Sequence, residues 1–187
     1  MFNNKFKFGL IAATALVMTF SACSKDDDEV PEADENELIT RVSFKFTNAA
    51  NANDVATVTW TDPDGEGGKP ATIGTLTLKP NTTYNYEISE VLNETATGDG
   101  RNVLSEINEE SDEHLWVYKA LPANILTITR TDKDKNNVEI GLKGTAVTSA
   151  VATGTLQTIL RHQPDSKNGT EAPGSTDFDA TFPVKIQ

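Results

Sequence analysis

One cysteine, two histidines and two tryptophans are all that the 187 residues hold of these types, and 16 Lys and Arg stand against 28 Asp and Glu. A single cysteine excludes an intrachain disulfide and any cysteine-based metal cluster. The shortage of basic side chains leaves a formal charge of −12, which repels phosphate backbones and anionic headgroups and argues against nucleic acid as a partner. No apolar run approaches the roughly 20 residues needed to span a hydrocarbon core. Catalytic signatures are missing as well: there is no G-x-S-x-G elbow, no P-loop, no G-x-G-x-x-G and no H-E-x-x-H. Acids are so abundant that some carboxylate pair at glycosidase spacing is inevitable, which strips such a pair of diagnostic weight. A non-enzymatic role is therefore expected.

What is present begins at the N-terminus. Lys5 and Lys7 form a short basic region, followed by Gly9 to Phe20 (GLIAATALVMTF) without a charge. That length suits the apolar core of a signal peptide. Phe20-Ser21-Ala22-Cys23 comes directly after it. Small residues before a cysteine let a peptidase close on the backbone between Ala22 and Cys23, and the thiol is the nucleophile that accepts diacylglycerol. This resembles the lipobox of bacterial lipoproteins, with Phe20 where Leu is usual. It implies a signal peptide over residues 1–22 and a lipidated Cys23 at the mature N-terminus, held at the outer membrane by its acyl chains at about 0.8 kcal/mol per buried methylene. Loss of Lys5 and Lys7 with the leader takes the formal charge from −12 to −14.

Residues 24–36 (SKDDDEVPEADEN) are dense in acids with a single Lys. Like charges this crowded resist packing, so residues 23–36 read as a disordered tether behind the anchor. Ser24, Lys25, Asp26, Asp27, Asp28 and Glu29 resemble the acidic export signal of Bacteroidota-type surface lipoproteins. That resemblance implies display on the outer face of the outer membrane; the periplasmic face is the alternative.

From residue 37 to 187 the dominant hydrophobic period is two. Val42, Phe44 and Phe46 share a face with Leu38, and Phe178, Ala180, Phe182, Val184 and Ile186 alternate with polar residues in the last segment, the mark of strands with one dry face. Pro183 cannot donate to a ladder, which predicts an edge or an outward-facing position there. Further strands are expected near 54–61, 71–78, 82–92, 114–120, 124–131, 137–143 and 151–162. Their inward residues would be Val58, Trp60, Leu76, Leu78, Tyr84, Tyr86, Ile88, Trp116, Tyr118, Leu126, Ile128, Leu156 and Leu160. Asp62-Pro63-Asp64-Gly65, Lys79-Pro80-Asn81, Asp134 to Asn137 and Gln163-Pro164-Asp165 carry turn chemistry. Val103, Leu104 and Ile107 at helical spacing predict one short helix within 102–113, with Asp99 or Asn102 as its cap. Residues 166–175 (SKNGTEAPGS) read as a long mobile loop. The sum is an all-β domain, an antiparallel β-sandwich that is Ig-like in the broad sense, with a closed barrel as the competitor.

The succession TVTWTDPDGEGG, LKPNTTYNYEISEVLNE, TLQTILRHQPD and TDFDATFPVKIQ also resembles an uncharacterised family of small Bacteroidota lipoproteins, over nearly the whole mature chain. Members sometimes carry the label "type 1 periplasmic binding fold". That label implies a larger α/β protein, whereas this chain has neither the length nor the strand–helix alternation. The resemblance brings no catalytic residues with it.

Asp62, Asp64 and Glu66 could offer oxygen ligands to a weak Ca²⁺ site, and Asp132, Asp134 and Asn136 have the one-three-five spacing of a calcium loop. Counting from Asp132, the sixth position is Asn137 rather than Gly and the twelfth is Lys143 rather than Glu, which excludes an EF-hand. The simpler expectation is that both segments are turns in which Asp and Asn bond their own backbone, so that no cofactor is needed. His114 and His162 read as surface or edge residues rather than ligands. Trp60, Trp116, Tyr84 and Tyr86 read as core rather than as a sugar-binding surface. The sequons at Asn81, Asn93 and Asn168 are accidental in a bacterial lipoprotein. Two functions stay open: a non-catalytic binding module for a protein or glycan partner, or a carrier holding a small apolar ligand or metal-chelate between its sheets.

Overall fold

The structure, a computed structural model, describes residues 38–65 and 67–187. Cys23, the expected signal peptide, the expected acidic tether and Glu66 lie outside the described residues. None of the described helices is long and apolar enough to cross a membrane.

Alternation of apolar and polar residues produces ten strands: β1 Arg41–Asn48, β2 Val55–Thr61, β3 Thr72–Ile73, β4 Leu76–Leu78, β5 Thr83–Leu92, β6 His114–Leu121, β7 Leu126–Arg130, β8 Lys143–Thr148, β9 Ala152–His162 and β10 Ser175–Ile186. A 3-10 turn at Gly98–Arg101 leads into the helix α1, Val103–Glu109. Asn102 holds the N-cap position of α1, but its side chain makes no capping bond. Val103 and Ile107 turn inward from the helix and are buried.

The strands form two sheets, a six-stranded one in the order β3-β2-β1-β5-β8-β7 and a four-stranded one in the order β4-β10-β9-β6. Two separate sheets make a β-sandwich; there is no closed barrel. All pairs are antiparallel except β4 with β10, which is parallel. The inward faces meet ring to ring. Phe44 of β1 packs edge-on against Trp116 of β6 and Phe182 of β10, with centroids 5.8 and 5.4 Å apart. Trp60 meets Phe178 at 5.0 Å and Tyr86 meets Tyr118 at 5.3 Å. Edge-to-face pairs of this kind contribute about 0.5–1.5 kcal/mol each beyond their buried area.

Three expectations are corrected. The apolar run 71–78 is two strands, because Gly74 donates its N–H to Thr59 O and the chain then crosses from one sheet to the other. Residues 137–142 form no strand. Ile140 and Leu142 are buried as their alternation suggested, but their carbonyls bridge the two sheets, Ile140 O accepting from Trp116 N of β6 and Leu142 O from Ile88 N of β5. The strand follows instead at β8, whose Gly144 sits where a Cβ would come within 2.1 Å of Thr129 O. Residues 166–175 are held in place: Gln163 donates to Thr170 O and Pro173 O, both at 2.9 Å, and Lys167 reaches into the interior to Asp134 at 2.7 Å. β10 is a central strand, yet its ladder with β4 begins only at Val184, so Pro183 has no ladder partner on that flank.

The two ends of the sandwich differ. Only residues 149–151 join Thr148 of β8 to Ala152 of β9, so Thr83, Leu126 and Thr148 share one end with Leu121 and Ala152. The chain enters β1 at the opposite end, where β6 and β9 pair His114 with His162.

Candidate functional site

At the entry end, cross-strand register sets His114 directly opposite His162. The two imidazoles stack, with centroids 4.8 Å apart and planes 7° from parallel. His114 starts β6, an edge strand of its sheet, in keeping with the expectation of surface or edge histidines, but it is only 1% exposed. Its Nδ1–H faces the Glu110 carbonyl oxygen at 3.2 Å, which leaves the lone pair on Nε2. That atom has no hydrogen-bond partner. Asp177, at the start of β10, points its carboxylate at it, with Oδ2 3.8 Å from Nε2 and the side chain 0% exposed. Neither carboxylate oxygen of Asp177 has a donor.

Burial governs the protonation of both groups. Desolvation drives the His114 pKa down to about 4, against the opposing pull of the Glu110 carbonyl, so the ring is neutral near pH 7. Desolvation also raises the Asp177 carboxyl to about 6, while His162 and Arg161 draw it back down. Two acidic side chains flank the pair. A Glu110 oxygen lies with ligand atoms of His114 and His162 in a group no wider than 4.8 Å, and Glu113 Oε2 is 3.6 Å from His162 Nε2. Among the described residues this is the one cluster of three or more His, Cys, Asp or Glu side chains that converges in this way.

The calcium candidates read from the sequence are arranged otherwise. Asp132 accepts from Gly141 N and Lys143 N at 2.9 and 3.1 Å. Asp134 accepts from Asn136 N and Val138 N through Oδ1, and from Lys167 through Oδ2. All four oxygens of this pair bond protein donors, and Asn136 is exposed. The carboxylates brace the turn, which is why Asp recurs there. In the other segment Asp64 Oδ2 accepts from Lys69 N at 3.0 Å, while Asp62 sits at the end of β2 with an unpartnered Oδ1. Neither segment brings its acids into a convergent group among the described residues, and Glu66 lies outside them. Sequence reasoning passed over Asp177 because it precedes the alternating core of β10 as one more polar position. Only the β6–β9–β10 register brings it to His114.

No family model, curated protein or solved structure matches the chain.

A second feature lies at the opposite end. The sequence carries no charge from Ala120 to Thr129 or from Gly144 to Leu160, and these stretches supply the β6–β7 and β8–β9 turns. Leu121 is 71% and Val151 74% exposed there. Every aromatic ring of the described residues belongs to the core cluster or packs against it, Trp60 and Tyr118 included.

Proposed function

We propose that the chain is a bacterial envelope lipoprotein, anchored in the outer membrane through acyl chains on Cys23 and displayed at the cell surface on an acidic tether. Its folded domain is a non-catalytic module that binds a protein partner. The observation that carries the binding reading is the exposure of Leu121 and Val151 on the uncharged β6–β7 and β8–β9 turns, beside the Lys79–Asp54 ion pair of the same end. Large apolar side chains held out in solvent on uncharged turns favour a contact site. A protein suits that surface better than a glycan, because the rings on which sugars stack are already engaged in the core. The carrier reading gains no support, since rings from the two sheets touch across the space a ligand would occupy.

Photo-cross-linkers placed at Val151 and, as a control, at exposed Glu109 of α1 at the other end test the binding reading in intact host cells. One reproducible adduct from position 151, absent from 109 and lost in Leu121→Glu, is the expected result. Equal labelling from both positions would overturn the reading. Protease shaving of the same cells tests display: digestion before lysis is expected, and a chain cut only after lysis places it on the periplasmic face.

A further inference from the structure

We propose that His114, His162 and Asp177, closed by a carboxylate from the 110–113 turn, bind one divalent transition-metal ion of the zinc class, which ties together the ends of β6, β9 and β10. The site goes beyond the anchor and binding readings and stands without them.

The argument starts from unpaired acceptors. His114 Nε2 and both oxygens of Asp177 are buried with no donor, and Nε2 faces Oδ2 at 3.8 Å. A lone pair confronting a carboxylate in a dry interior is relieved by a metal ion or a shared proton between them, because buried polar groups left unpaired cost roughly 1–3 kcal/mol each and buried charges are paired or metal-bound. The Lys167 ammonium and two guanidinium nitrogens of Arg161 are engaged elsewhere, and Arg161 Nε is buried without a partner. Lys167 bonds Ser111 O and Asp134, and Arg161 bonds Thr176 Oγ1 and the carbonyls of Pro173 and Gly174.

The donor set favours zinc over calcium or magnesium, since two imidazoles with carboxylates suit a borderline ion and hard cations take oxygen alone. His114 already has the arrangement of a metal-bound histidine, one ring nitrogen on a backbone carbonyl and the other free. A dication against Asp177 and one glutamate is charge-neutral. Donor atoms of Glu110, His114 and His162 lie within 4.8 Å of one another, and Asp177 Oδ2 is 3.8 Å from His114 Nε2, compared with about 3.3 Å between ligands of tetrahedral zinc. Binding requires His162 to turn out of its stacked orientation and His114 and Asp177 to draw together.

The test uses the full chain without an affinity tag, stripped with chelator and titrated with Zn²⁺ alone, and with Co²⁺ for its visible d–d bands. His162→Ala and Asp177→Asn are the variants, since truncating the buried His114 endangers the fold; thermal unfolding of each metal-free variant verifies that it is folded. One Zn²⁺ per chain is expected, with affinity falling about 100-fold or more in either variant. Tetrahedral Co²⁺ bands should be present only in the parent chain. The melting temperature of the parent should rise by about 10 °C at free zinc a hundredfold above Kd. Absence of stoichiometric binding would overturn the proposal. Binding that persists unchanged in both folded variants would put the ion on other acids and overturn it equally.

Discussion

Lys167 shows how much a single side chain can hide from a sequence reading. It sits in a stretch of Ser, Asn, Gly and Thr that reads as loose loop, yet its side chain is 2% exposed and its ammonium lies 2.7 Å from Asp134, itself 1% exposed. Burial pulls the Asp134 carboxyl upward, but the Lys167 ammonium and the amides of Val138 and Asn136 outweigh it and hold the carboxyl below its ordinary range. A carboxyl depressed on folding contributes stability that is fully present above its unfolded pKa of about 3.9 and is lost as pH falls through the folded value. Lys167→Met leaves a buried carboxylate without its cation, so urea unfolding at pH 7 should show a loss of about 3 kcal/mol. The deficit should shrink as the pH is lowered below about 4, because a protonated Asp134 no longer needs the cation. The pairing was illegible because its members lie 33 residues apart and lysine is rarely buried. Other residue choices were legible for local reasons. Asn81, Asn137 and Asp165 all take positive φ within turns read from their own side chains, since Asn and Asp tolerate the left-handed region.

Among the elements, legibility follows the strength of the alternation. β10 and β1 carry large apolar residues on one face and were read correctly, as were β5, β6 and β9. β8 was missed because its inward face is Gly144, Ala146 and Thr148, too small to register as a hydrophobic stripe; close approach to β7 and Tyr86 demands that smallness. The neighbouring run Val138, Ile140, Leu142 has the period of a strand but spends its carbonyls on two different sheets, a distinction that no local pattern carries. α1 is seven residues long, too short to be stable by propensity alone, and its placement rests on the side chains it buries. Ile107→Ala should therefore cost about 3 kcal/mol in chemical denaturation, whereas Glu109→Ala, on the solvent side, should change stability by less than about 0.5 kcal/mol. Equal effects at the two positions would contradict the packing of α1 described above. The His114–His162–Asp177 cluster belongs to this scale as well. The two histidines were weighed singly and Asp177 was passed over; the juxtaposition is a product of strand register.

For the molecule as a whole, the two proposed sites lie at opposite ends of the sandwich. One end receives the chain from its N-terminal segment and holds the buried histidine–carboxylate cluster. The other bears the uncharged β6–β7 and β8–β9 turns, exposing Leu121 and Val151 beside the Lys79–Asp54 ion pair. Between them aromatic rings of the two sheets pack against each other. Fold class was the most legible property of all, because period-two patterning and frequent turn residues admit few architectures. The choice between sandwich and barrel was not legible, since it depends on whether the outermost strands pair with each other. The proposed leader and export signal rest on sequence alone. The account of the whole molecule turns on the proposed lipidation of Cys23, because an anchor there would decide where the domain works and would remove the one thiol from any other chemistry. Intact-mass and N-terminal peptide mass spectrometry of the protein taken from its own host's membranes tests that most directly. The predicted result is a chain that begins at Cys23 and carries diacylglycerol on its sulfur; a chain cut at another residue, or one with Cys23 present as an unmodified thiol, would contradict it.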